Sequence, residues 1–87
     1  MDATQQLLNE RGKTHGDFTI HAMFTQRLKA VAYSDWGGYS SMTEVQREAI
    51  DMILHKIGRI IAGDPNHKDH WDDIAGYAKL VSDRIKP

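Results

Sequence analysis

Lys56 and Arg59, one helical turn apart, are followed by the carboxylates Asp69, Asp72 and Asp73, with Gly63-Asp64-Pro65 between the two groups. Two antiparallel helices joined at that break bring cations and carboxylates to one place. The chemistry this suits is capture of an anionic ligand through a divalent metal, a nucleotide phosphate being the natural case. Mg²⁺ and Mn²⁺ take oxygen ligands and keep waters and substrate phosphates in their shells. Glu48, Asp69 and Asp73 are the candidate ligands, the last two at i, i+4 on one helix and Glu48 on the facing one. A metal held there polarises phosphate oxygens and activates a water for attack on phosphorus. Lys56 and Arg59 then fill the catalytic role of neutralising the charge that develops on the phosphate. The plainer arrangement is an ion pair from Asp73 to Lys56 or Arg59, and taken alone the residues favour it. Asp72 lies roughly 100° round the helix from Asp73 and reads as solvated surface.

A second candidate runs from Glu10 to Phe18, where Arg11, Lys13 and His15 are interleaved with Gly12 and Gly16. The glycines permit close backbone approach and a helix N-terminus comes directly after, an arrangement that cradles a phosphate or a base. Arg11, Lys13, His15 and Tyr77 are the candidate nucleotide contacts. The spacing is neither that of a Walker loop nor that of a dinucleotide fingerprint. The alternative is an ordinary inter-helix turn with Phe18 tucked into the core. His67 and His70, three apart, have a helical metal spacing with His55 as a neighbour, yet zinc sites need three or four ligands in fixed geometry and no such set is evident. With no cysteine and no Ser–His pair in a recognisable setting, a side-chain nucleophile is not expected.

These groups must be positioned by helices, because the periodicity is helical throughout and no run alternates like a strand. The first helix is expected from Thr4, carrying Leu7 and Leu8, to a stop before Gly12, with a polar loop from Gly12 to Asp17. The second starts at Asp17 or Thr19 and shows Ile20, Phe24, Leu28 and Val31 at core spacing. Asp35-Trp36-Gly37-Gly38-Tyr39-Ser40 is a turn. The third helix opens at a capping box, Ser41 with Glu44 or Thr43 with Gln46, and ends near Ala62 at Gly63. Its apolar arc is Val45, Ala49, Met52, Ile53, Ile57, Ile60 and Ile61; Lys56 projects into this arc and must reach the surface or meet an anion. Asp64 caps the fourth helix with Pro65 at its first position. That helix continues to about Ile85, with Trp71, Ile74, Ala75, Ala78, Val81 and Ile85 as its core stripe and Asp73 partly desolvated beside Tyr77 and Leu80. The expectation is an all-α fold, a four-helix up-down bundle with short loops, forming one domain over 1–87.

At 87 residues the chain is short enough for a thin core, so completion by oligomerisation, as a homodimer or larger, is expected. The 11 basic and 12 acidic residues nearly balance, which argues against a nucleic-acid partner. No stretch has the length of a signal peptide core or a membrane span, so a soluble, cytoplasmic domain is expected.

Three elements, Arg11-Gly12…Gly16-Asp17-Phe18, Lys56-Ile57-Gly58-Arg59 and Asp69…Asp73-Ile74-Ala75-Gly76-Tyr77, together resemble those of a family of small phage and prophage proteins. More distantly the arrangement resembles the all-α nucleoside triphosphate pyrophosphatases of the MazG and dimeric dUTPase type. That resemblance implies Mg²⁺ (or Mn²⁺) held by carboxylates of two neighbouring helices, pyrophosphate release, dimers or tetramers, and a place in the host cytoplasm. Where that class has Glu-Glu-x-x-Glu this chain has Glu44-Val45-Gln46-Arg47-Glu48, and where it has Glu-x-x-Asp this chain has Asp69-His70-Trp71-Asp72. Three functions stand as expectations: a metal-dependent nucleotide pyrophosphohydrolase, a non-catalytic module that binds a nucleotide or a host protein, and a purely structural bundle.

Overall fold

Four α-helices make up the computed structural model, which describes residues 2–34 and 38–87. They are α1 (Ala3–His15), α2 (Phe18–Ala32), α3 (Glu44–Ala62) and α4 (Lys68–Ser82), with a 3₁₀ turn at Tyr39–Ser41. The described residues contain no strand, as the helical periodicity requires. No described helix is long and apolar enough to cross a membrane. Of the turn expected at 35–40, residues 35–37 lie outside the described residues.

The starts of α1, α2 and α3 carry side-chain caps. The Asp2 carboxylate accepts the Gln5 N–H at 2.7 Å, and Asp17 accepts that of Thr19 at 2.8 Å. At α3 the box is reciprocal: Thr43 Oγ1 accepts from Gln46 N at 3.1 Å, and Gln46 Oε1 accepts from Thr43 N at 2.9 Å. Two boundaries differ from expectation. Helix α1 does not stop before Gly12; it runs through it to His15, and Gly16 ends it with φ of 78° and an N–H bonded to Gly12 O. Asp64-Pro65 does not open α4. The Asp64 carboxylate accepts the Asn66 N–H at 2.9 Å and its carbonyl accepts that of His67 at 3.2 Å, closing a turn that delays the helix to Lys68.

Helix α3 is central, with α2 along one side, α4 along the other, and α1 meeting the others near its C-terminal end. What lies between the helices is unusual. Ala49 is the one fully buried apolar residue among those described, whereas His21, Thr25, Lys56 and His70 are buried polar groups. The α2–α3 contact is made by His21 and Thr25, one turn apart, seated on Gly58. A Cβ on Gly58 would collide with Thr25 Oγ1 and stand 2.9 Å from His21 Nδ1. The expected core stripes are only partly covered: Phe24, Leu28, Ile53, Ile57, Ile74 and Val81 are half-buried, whereas Phe18 is 77 % exposed rather than tucked in, and Ile20, Val31, Ile61, Trp71 and Ile85 are exposed as well.

Candidate anion-binding cleft

Because α1 continues through Gly12, Leu8, Arg11 and His15 share one of its faces, at i, i+3 and i+7. That face looks onto the start of α2 (Asp17, Phe18, His21) and onto Arg59 of α3, enclosing a cavity of about 410 Å³. Two backbones crossing at close range hold the walls in place. A Cβ on Gly16 would collide with the Ala62 carbonyl, and one on Gly63 with that of Thr14. Gly16 also occupies the left-handed region, where a side chain is strained. The Thr14 carbonyl then accepts twice, from Asp64 N at 3.0 Å and from His70 Nε2 at 2.8 Å. A carbonyl can only accept, so Nε2 of His70 carries the proton. His70, 1 % exposed, meets His15 edge-on at 4.9 Å between ring centroids and His67 at 4.6 Å. The turn between α1 and α2 is thus clasped to the turn between α3 and α4 by imidazoles.

The cleft carries two guanidiniums, Arg11 and Arg59, against one carboxylate, Asp17. Burial, reinforced by Arg59, His70 and Arg11, lowers the His15 pKa to about 4. Burial and then Arg59 lower that of His21, and burial, Lys29 and His21 lower that of His55. The two imidazoles that line the cavity, His15 and His21, are neutral at pH 7, which leaves its positive charge to the two guanidiniums. The ion pairs among the described residues are Lys56–Asp73, Lys68–Asp72 and Lys79–Asp83, with His67 Nε2 3.8 Å from Asp69, so neither Arg11 nor Arg59 is matched to a carboxylate. Asp17 borders the cavity, with Oδ1 taken by the Thr19 N–H. His21 Nδ1, against Gly58, is buried without a hydrogen-bond partner among the described residues.

Of the residues singled out by type and spacing, Arg11, His15 and Arg59 come together here. Lys13, two residues from Arg11, is exposed and does not line the cavity. Tyr77 borders a separate shallow depression with Asp72, Asp73 and Leu80. Lys56 is buried in the apolar arc as expected, and its Nζ lies 2.8 Å from Asp73 Oδ2, the plainer of the two arrangements. The Asp73 carboxylate is less desolvated than expected, with its side chain 47 % exposed. A hydrogen bond from Lys56, then its charge, hold the carboxyl below the usual range. Glu48 and Asp69 do not join them: both are exposed, and Asp69 Oδ2 lies 3.8 Å from His67 Nε2. Among the described residues no group of three or more His, Asp or Glu is arranged to hold a metal ion, so the expected convergence of Glu48, Asp69 and Asp73 is not what the single chain builds.

Residue type and spacing include Phe18 at the end of the second candidate segment and miss His21 as a cleft residue. Its signal is the i, i+3 spacing from Phe18, directly after Gly16-Asp17, and it is readable only once Gly12 is known to be helical.

Residues 1–85 match the family defined by the domain of unknown function DUF6378. The chain belongs to the DUF6378 family. No curated protein and no solved structure matches it. The DUF6378 match spans both turns and every residue of the cleft.

Proposed function

We propose that this domain binds a phosphate-bearing small molecule, a nucleotide in the first instance, in the cleft between the end of α1, the start of α2 and Arg59. The observation that carries the reading is that two guanidiniums without carboxylate partners line one cavity whose histidines are held neutral. Guanidinium forks match phosphate oxygens in bidentate geometry and gain strength where water is reduced. Arg59, half-buried, is the anchor; Arg11, exposed, steers and closes. At about 410 Å³ the cavity is in the range of small-molecule sites. Phe18 offers an exposed ring at its edge for an aromatic base. The Asp17 carboxylate, also on the rim, directs phosphate to the arginine side.

The resemblance to all-α pyrophosphatases would add Mg²⁺ and hydrolysis. The residues do not fit that addition within one chain, since Asp73 is engaged by Lys56 and no three-ligand group is present among the described residues. No hydrolytic step is therefore derived, and binding is the conclusion.

Calorimetric titration with a panel of nucleoside mono- and triphosphates and with inorganic phosphate tests the reading, alongside a pyrophosphate-release assay with Mn²⁺. Saturable binding that Arg59→Gln abolishes and Asp72→Asn leaves intact is expected. Binding unaffected by Arg59→Gln would refute the cleft assignment, and turnover would restore the hydrolytic reading.

A further inference from the structure

The helices α2, α3 and α4 form a single layer, and one face of that layer is apolar and only partly covered. On α3, Gly58 meets α2 and Lys56 meets α4. Between them, about 100° round from each, runs a ridge of Ile50, Ile53, Leu54, Ile57 and Ile61. The four N-terminal members are half-buried and Ile61 is exposed. The same helical geometry, with neighbouring helices antiparallel, puts Ile20 and Val31 of α2 and Trp71 and Ala78 of α4 on that side. An open groove of about 420 Å³ between Ile50, Ile53, Ala78 and Val81 lies along it. The opposite side carries Glu48 and Arg59, and it is there that α1 approaches. The α1 residues Leu8, Arg11 and His15 gather there around Arg59, away from the ridge.

We infer that a second copy of this chain covers this face, layer on layer, in a two-fold dimer. An apolar helix face is stable only against a second layer, and within the chain none is supplied. The area agrees. The chain exposes 6464 Å² where a compact monomer of 9.9 kDa exposes about 5,200 Å². Its radius of gyration is 14.9 Å where about 12 Å is usual for this length. The excess of roughly 1,300 Å² per chain is what an obligate homodimer buries, and more than the ~800 Å² per partner of a standard interface. The face is aliphatic apart from Trp71, with Arg27 at its α2 edge, and a mainly apolar face of this kind fits an isologous pairing.

Light scattering at micromolar concentration should give about 20 kDa, twice the 9.9 kDa chain. Val31→Glu and Ile61→Glu, both at exposed positions of the single chain, should lower it to about 10 kDa, whereas Leu7→Glu on α1 should leave the dimer intact. Should the two glutamate variants unfold instead, the parent decides: its thermal midpoint should rise with protein concentration. A parent of about 10 kDa, a concentration-independent midpoint, or a dimer indifferent to both Val31→Glu and Ile61→Glu would overturn the inference.

Discussion

Three imidazoles and one ammonium are where single groups decide the behaviour of this domain. For His15 the folded pKa, about 4, lies below the ordinary value of 6.5, and those of His21 and His55 are shifted in the same direction. A depressed folded pKa means that the unfolded chain takes up the proton first. The stability these groups confer is complete above pH 6.5 and is lost as pH falls, for His15 down to about pH 4. Urea unfolding between pH 7.5 and pH 4 should show stability falling by as much as ~1.4 kcal/mol per pH unit for each proton taken up. The fall should be shallower in His15→Gln; an equal slope in that variant would remove His15 from the account. Lys56 obeys a different logic, since its ammonium is buried and its one ion-pair partner is half exposed. Replacing the cation by an isosteric apolar group removes a desolvation cost along with the pair, so Lys56→Met should stay within about 1 kcal/mol of the parent or exceed it. Asp73→Asn leaves the buried charge without its counter-ion and should be the more destabilising of the two. Thermal melts of both variants test the order.

At the scale of elements the two turns carry the cleft, and their glycines differ in what they do. Gly16 combines a left-handed φ with a backbone crossing, so Gly16→Ala should cost at least ~1–3 kcal/mol and slacken the clasp onto Thr14. Gly76 sits within α4 with open space where a Cβ would be, and Gly76→Ala should stabilise by roughly 0.5–1 kcal/mol. Chemical denaturation of the pair reads both signs at once. The contrast also shows how far the chain's residues reveal their own positions. Starts marked by side-chain caps, Asp17 and the Thr43–Gln46 box, are legible directly, as is Gly63 at the end of α3. Gly12 is not, because a glycine ends a helix only where the residues after it supply no better cap, and here Gly16 supplies one. Asp64-Pro65 signals a start that the Asx turn at Asn66 pre-empts. The contact of His21 and Thr25 with Gly58 is hidden for a different reason: a glycine in a helix shows its purpose only when the neighbouring helix is in place. The apolar stripes are legible as stripes, although Ile20, Val31, Ile61 and Trp71 among them are exposed in the single chain.

Over the whole molecule, charge is almost balanced, at −1, while the cleft concentrates unpaired guanidiniums on one side of the layer and the aliphatic ridge occupies the other. The proposed ligand capture and the proposed self-association fall on opposite faces, so a variant at Val31 or Ile61 that still folds should retain anion binding. Long-range attraction is weak in a near-neutral protein, and affinity must come from close contact in the cleft; added salt should therefore weaken binding only moderately. The claim on which the functional account rests is that Arg59 holds a phosphate. Its most direct measurement is a calorimetric titration of one nucleoside triphosphate into the parent and into Arg59→Gln at equal concentration and ionic strength. Saturable binding in the parent, weakened at least ~10-fold in Arg59→Gln while the fold is retained, is the predicted result; the corresponding loss is about 1.4 kcal/mol or more. The same isotherm from both proteins, or heat of binding from neither, would contradict it.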